Sequence, residues 1–385
     1  RVLARDSRQA VAEIDSQPIS ARQCATVFLR EVLSATADRE RSLNSHSIPR
    51  WNLVRRALAW IRREGLVNDL TMTVPIDSFE AYRMELQSIA RKLGVQHFKT
   101  LDEPVAAALG YGVDFGGGTI DIALVRTALG ATPAQRGRGI GHRKAEVLAA
   151  RGMELGGETV DEWVTDMACA RLKAHAETMR PAIRAQAEQV KKELSGKVLT
   201  TEDTYFRVPG GDQLIVTRQE FLETLQARGL YDRIETIADC VMDDASHKLS
   251  ITDLDEVLLV GGSTLLPGVR ELFERLFGAN KVRYWNPFQA VVEGAATYGA
   301  GYYVDQIIHH DYAIRVYSES ANSPQYELLI KRGTAYPTPE GFETRYYAVA
   351  PKQQLFSLPV CEVGMAGRLA LEWRQSRNGH YYWQP

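Results

Sequence analysis

The sequence predicts an α/β protein with more than one domain and a small β-rich C-terminal part, on three observations. Asp114-Phe115 runs into Gly116-Gly117-Gly118 and, past Thr119, into a second strand, Ile120 to Val125. The apolar run Val257 to Val260 enters another glycine turn, Gly261-Gly262-Ser263-Thr264, followed by an amphipathic helix from Val269 to Leu276. From about Asp311 the pattern changes to short strands punctuated by turn residues. A chain of 385 residues exceeds a single core and divides into two or three domains.

Taken in order, the patterning predicts helices over Ala21 to Leu33 and Trp51 to Glu64, a strand over Asp69 to Val74, a helix over Phe79 to Leu93 and a short strand over His97 to Thr100. Pro104 suits a first helical position, the alanines after it favour the helix, and Gly112 suits its stop. Beyond the glycine hairpin come a strand over Ala145 to Ala150, helices from about Thr159 to Ser195 and a strand pair around Thr204 to Val216. Helices over Arg218 to Gln226 and Tyr231 to Ala245 lead to the strand at Val257, and Asn286-Pro287 opens a helix through Ala290, Ala295 and Ala296. Strands are expected at Tyr312 to Tyr317, Tyr326 to Ile330, Arg368 to Trp373 and Gly379 to Trp383, with a turn at Arg332 to Thr338. Only Val113 stands between the helix stop Gly112 and Asp114, whereas a buried strand needs roughly 5 residues, so a segment missing between Gly112 and Val113 is expected.

The chemistry concentrates at the glycine turns. Without a Cβ, Gly116, Gly117 and Gly118 let backbone N–H groups approach a charged ligand, and successive N–H groups in one concavity bind phosphate oxygens. Asp114 and Asp121 flank that loop with carboxylates suited to a hydrated Mg²⁺, although an ordinary glycine-rich hairpin has the same look. Glu103 sits at the mouth of the alanine helix facing the loop, where a carboxylate orients an attacking water in phosphoryl transfer. The small residues of Gly261-Gly262-Ser263-Thr264 suit a flat base or ribose. Glu188, Lys191, Lys192 and Ser195 lie three, four and seven apart and share a helical face, which reads either as an adenosine surface or as a solvated Glu–Lys face.

These motifs resemble the DnaK-type heat-shock chaperones, within the actin-like ATPase superfamily, from about residue 55 to about 300 and more faintly to about 340. The resemblance implies a two-lobed actin-like ATPase fold closing around Mg-ATP or Mg-ADP. Pro75, after Thr73-Val74, and Arg83 are similar to the family's switch proline and relay arginine, and Glu103-Pro104 to its first connecting segment. Asp114 to Asp121 is similar to its second phosphate loop, with Asp114 ordering the metal's water shell and Thr119 contacting the γ-phosphate. Gly156, Gly157 and Glu158, with Asp161, resemble the turn that follows. Glu188, Lys191, Lys192 and Ser195 match the helix against the adenosine, and Gly261, Gly262 and Ser263 the adenosine motif. A protein client, a J-domain co-chaperone and a nucleotide-exchange factor are the partners this implies.

The expected organisation is a remainder of the first nucleotide-binding lobe over 1–112, the second lobe over 113–303 with a helical insertion at about 159–250, and a linker with a β-rich substrate-binding-like domain over 304–385. The chain departs from the family at several points. It opens at Arg1, with no residues corresponding to the first phosphate hairpin or the catalytic lysine after it. Val304-Asp305-Gln306-Ile307-Ile308 stands for the acidic-leucine linker, Leu265 for an arginine that would cover adenine, and Phe288 for an acidic residue. The β-rich part is too short for the family's sandwich and lid. These departures favour, as the alternative, a non-hydrolysing scaffold on the same fold, while a small-molecule kinase is opposed by the helical insertion and the trailing β-domain.

Composition supports a globular reading: 45% hydrophobic and 24% charged residues, with a net charge of −2 that leaves no electrostatic footprint for nucleic acid. Cys24, Cys169, Cys240 and Cys361 have no ligand spacing, which argues against zinc and for a reducing compartment, read here as the cytoplasm. No apolar run spans a bilayer, and the polar first residues show no signal peptide. His309-His310, if in a strand, would point to opposite faces, so a linker or sheet-edge role is expected rather than a metal tract.

Overall fold

The computed structural model of the chain describes residues 8–14, 17–45, 67–110, 113–115, 118–127, 144–172, 176–196, 203–208, 213–284, 289–301, 303–318, 323–338, 358–363, 374–375 and 381–383. The chain forms two compact units, residues 1–74 with 78–101, and residues 75–77 with 102–385.

In the first unit, β1 (Ala10–Ile14) and β2 (Gln17–Ser20) form an antiparallel hairpin. It leads into α1 (Ala21–Ser45), which runs twelve residues past the Leu33 end expected for it. β3 (Asp69–Val74), α2 (Glu80–Lys92) and β4 (His97–Asp102) follow, with β3 and β4 in one sheet. Leu29 of α1 packs with Ile89, Ala90 and Val95. Arg22 pairs with Glu85 and donates to Ser88 Oγ at 2.9 Å, tying α1 to α2. The helix expected over Trp51 to Glu64 lies outside the described residues.

After residues 75–77 the second unit continues with α3 (Glu103–Gly110). The hairpin of β5 (Val113–Phe115) and β6 (Ile120–Thr127) and the long strand β7 (Lys144–Met153) come next. α4 (Gly157–Leu172) and α5 (Ala176–Ser195) make up the helical insertion, followed by the hairpin of β8 (Asp203–Arg207) and β9 (Gln213–Thr217). α6 (Arg218–Ala227) starts where Thr217 accepts from Glu220 N at 3.1 Å and the Glu220 carboxylate accepts from Thr217 N at 2.8 Å, a reciprocal cap. α7 (Leu230–Ala245) packs across β6 and β7. β10 (Val257–Val260), α8 (Val269–Phe277), β11 (Val282–Tyr284) and α9 (Ala290–Gly299) follow. The core of the second unit joins Ile120 and Leu148 of the sheet to Trp163, Ile183, Phe206, Phe221, Ile234 and Phe273. Ala106 and Ala107 of α3 and Ala290 and Gly294 of α9 are buried, and these small residues let the two helices pack closely.

β12 (Tyr303–Ile307) extends the main sheet, whose order is β11-β10-β5-β6-β7-β12-β15, with β15 (Ala335–Tyr336) at its edge. The segment expected as a linker is therefore an inner strand, parallel to β7 and antiparallel to β15. His309 and His310 lie between β12 and β13 (Asp311–Ser318) rather than in a strand, so the opposite-face constraint does not apply to them. β14 (Ser323–Ile330), β16 (Val360–Val363), β17 (Arg374–Gln375) and β18 (Tyr381–Trp383) join β13 in a second, antiparallel sheet of order β16-β13-β14-β18-β17. Gly112, the residues 286–288 and the strand expected over 368–373 lie outside the described residues. β5 itself has three residues, short of the length expected, and is held by pairing on both sides.

Candidate functional site

The sheet order gathers the glycine turns at one edge. β10 and β5 run parallel, while β6 is antiparallel to both β5 and β7. The C-terminal ends of β10, β5 and β7 and the start of β6 thus share an edge, the end at which open α/β sheets bind ligands. Asp114 of β5 stands in register with Asp121 on β6 and with Val260 on β10, so the β5–β6 turn and the turn after Val260 are neighbours. α3, which begins with the half-buried Glu103, packs against β5 and β6. Gly116 and Gly117 lie outside the described residues, whereas Gly118 and Thr119 are half-buried at the loop's end.

Asp121 is 1% exposed and fully engaged: its Oδ2 accepts from Thr119 Oγ1 at 2.5 Å and its Oδ1 from Ile76 N at 3.0 Å. Gly152 faces it in register on β7, and a Cβ there would stand 2.5 Å from Asp121 Oδ1 and 3.1 Å from Asp77 N. Only glycine leaves the carboxylate room to cross to residues 75–77. Pro75 belongs to the second unit, and Arg83, half-buried on α2, to the first. Neither Asp77 nor Gly152 stood out in the sequence. An aspartate facing a glycine across strands carries a signal only once the register is known.

The turn after β7 continues the edge, with Gly156 and Gly157 buried and Glu158 exposed in the first turn of α4. Lys191 reaches this turn, donating to Gly157 O at 3.0 Å and standing 2.9 Å from Asp161 Oδ1. Ser195 Oγ donates to Lys191 O at 2.7 Å. Glu188 and Lys192 instead pair with each other at 2.7 Å, their side chains 62% and 63% exposed. The Lys192 hydrogen bond holds the Glu188 carboxyl below the usual range. The four residues read as one face thus divide: Lys191 turns to α4, and Glu188 and Lys192 stay in solvent.

At the second turn Gly261 has φ 85°, where a side chain would be strained, and Ser263 and Thr264 are buried. Thr264 Oγ1 donates to Gly261 O at 2.7 Å, and Tyr284 OH to Thr264 O at 2.9 Å. Leu265 is 49% exposed. Among the described residues no group of three or more acidic, histidine or cysteine side chains is placed to hold a metal ion.

The sequence model of a family described as Hsp70 protein matches residues 53–354. The chain belongs to the Hsp70 family. Its actin-like ATPase fold is the class read from the glycine turns. Similar proteins include the stromal 70 kDa heat shock-related protein, chloroplastic, of Pisum sativum and heat shock 70 kDa protein 6, chloroplastic, of Arabidopsis thaliana. Each is 30% identical over 254 residues, covering 60% of this chain and 34% and 33% of the two relatives. The matched stretch is about a third of the length of these Hsp70 relatives. Their names overturn the cytoplasmic placement expected from the sequence, since both are chloroplastic. The cysteine spacing does not say which compartment holds the chain. No helix among the described residues is long and apolar enough to cross a membrane.

Proposed function

We propose that this Hsp70-family chain binds Mg-ATP at the glycine-turn edge, hydrolyses it slowly and couples the nucleotide state to a protein client through its C-terminal sheet. The observation that carries this reading is the convergence of β10, β5, β6 and β7, each bearing a family motif, on one edge of a single sheet. In this reading the loop from Gly116 to Thr119 cradles the phosphates and the Gly261 turn takes the nucleoside. Glu103 positions the attacking water, and Thr119 turns from Asp121 to the γ-phosphate. Bound Mg²⁺ supplies charge neutralisation to the phosphates, with Asp114 holding its water shell. Gly156, Gly157 and Glu158 close the phosphate side, Glu188, Lys191, Lys192 and Ser195 lie toward the adenosine, and Pro75 and Arg83 relay the state. A J-domain protein and an exchange factor are the co-chaperones of this cycle, and the names of the relatives point to the plastid as its place.

Calorimetric titration with Mg-ADP tests the reading. Micromolar binding by the intact chain, abolished in Asp114→Ala, is the expected result, together with a fall in ATP turnover of about 10²-fold or more in Glu103→Ala. Absence of ADP binding by the intact chain refutes it and favours a scaffold. Leu265 supports that second reading, because a half-exposed aliphatic side chain stands where a cation would cover the base.

A further inference from the structure

We propose that His309 and His310 are positioning residues that latch the C-terminal sheet to the nucleotide edge. Their functional sense rests on the nucleotide reading above, but the latch itself rests on geometry. The two histidines follow β12 directly and reach in different directions, each into buried surroundings. His309 Nε2 lies 2.6 Å from Asp102 Oδ2, and Asp102 immediately precedes Glu103 at the mouth of α3. His310 Nδ1 lies 2.7 Å from Glu362 Oε1 on β16, and its Nε2 lies 3.5 Å from Asp77 Oδ1. Asp77 follows Ile76, whose N–H is held by Asp121, which in turn accepts from Thr119. A continuous polar chain therefore runs from Glu362 of the C-terminal sheet through His310, Asp77 and Asp121 to the end of the phosphate loop.

The hydrogen-bond inventory says what this chain requires. Each ring nitrogen of His310 faces a carboxylate, and ionised carboxylates only accept, an arrangement that favours the imidazolium, the one form in which both nitrogens carry a proton. His309 has one such partner, and among the described residues its Nδ1 has none. Burial pulls His310 toward the neutral form, but Asp77 and Glu362 outweigh it and hold its pKa at about 9. The groups around the latch are Asp77, Glu362, the neighbouring Asp311, which accepts from Arg332 N, and Tyr312, whose hydroxyl donates to Glu362 Oε1 at 3.2 Å. Near Asp102 stands Tyr298 of α9, its phenol pushed up by burial and further by that carboxylate. Loss of the His310 proton turns one ring nitrogen into a lone-pair acceptor facing a carboxylate, so one of the two contacts, to Asp77 or to Glu362, becomes repulsive. The latch is closed at neutral pH and opens as pH rises through about 9.

Hydrogen exchange of β13 and β16 in the intact chain, followed from about pH 6 to 10 and corrected for intrinsic rates, tests this. Wild type is expected to lose about 10-fold in protection as pH crosses the His310 transition. His310→Gln is expected to show low, pH-independent protection, and Glu362→Gln a fall at lower pH, while α7 stays protected in all three and reports an intact fold. A fall of unchanged size and midpoint in His310→Gln overturns the latch. With Mg-ADP added, nucleotide-dependent protection of β16 is expected in wild type and not in His309→Gln or His310→Gln, with ADP affinity held within about 2-fold. If wild type binds no ADP, the nucleotide reading fails and the pH profile alone still decides the latch.

Discussion

The glycine-turn edge of the main sheet and the junction between β12 and β13 are both built on polar contacts, at very different sequence separations. At the edge Thr119 bonds Asp121 two residues on, Thr264 bonds Gly261 three residues back, and Ser195 bonds Lys191 four back. At the junction His309 meets Asp102 across 207 residues and His310 meets Glu362 across 52. Short-range contacts form with their own turn or helix and close small loops at little entropic cost. Contacts of the second kind exist only when the whole unit is assembled, so they report its tertiary state and are suited to coupling one part to another. Asp121 belongs to both groups: besides Thr119 it holds Ile76, 45 residues away.

The largest effect is expected where a long-range pair is also well buried. Lys191 and Asp161 join α5 to α4 with side chains 13% and 6% exposed. Lys191→Met leaves the buried carboxylate with only the more distant Arg184, at 3.9 Å, and is expected to cost about 3 kcal/mol, seen as a lower denaturant midpoint. Adding Asp161→Leu should restore most of that loss, and failure of the double variant to recover would show that the pair holds more than its own charge.

His310 comes next, and its effect carries a sign. The folded-state pKa of about 9 lies above the ordinary 6.5, so the folded chain binds the extra proton. The stabilisation is complete below about pH 6.5, declines between there and 9, and is lost above. His310→Gln should therefore be less stable than wild type by about 3 kcal/mol at pH 6, with the difference vanishing near pH 10. Equal gaps at both pH values would mean that packing, not charge, holds the junction. Gly152→Ala ranks third, at about 1–3 kcal/mol, because its Cβ would meet Asp121 Oδ1 at 2.5 Å and force a shift of strand or carboxylate. A thermal unfolding scan measures it, and an unchanged midpoint would show that Asp121 can give way freely.

What was legible in the sequence follows the same division. The strand after the first glycine turn, and the strand and helix on either side of the second, were read correctly because each is written within a dozen residues. The segment Val304 to Ile308 was read as a linker because it stands where the resembled family has one, whereas its pairing with β7 and β15 makes Tyr303 to Ile307 a strand, β12. His309-His310 was assigned its linker position, but the partners that give the pair meaning, Asp77, Asp102 and Glu362, are unremarkable carboxylates in the sequence. Asp121 was noticed as a flank of the loop, yet its hold on Ile76 depends on Gly152 being opposite, which only the β6–β7 register reveals.

Glu188 and Lys192 give the smallest expected effect on stability and the most discriminating one on function. Their contact is a solvent-exposed helical pair, worth about 0.3–0.5 kcal/mol at most and weakened further by salt. Lys192→Ala should leave the unfolding midpoint unchanged within error, in contrast to its neighbour Lys191. An adenosine lying against this face would change the accounting for binding alone, since a cationic stem covering a base contributes only when the nucleotide is present. Lys192→Ala is then expected to weaken Mg-ADP about 10-fold with no loss of stability, the fold-change corresponding to about 1.4 kcal/mol. Unchanged affinity would return the face to solvent and leave Lys191 and Ser195 as structural ties within the insertion. The nucleoside would then be held by the Gly261 turn without help from α5.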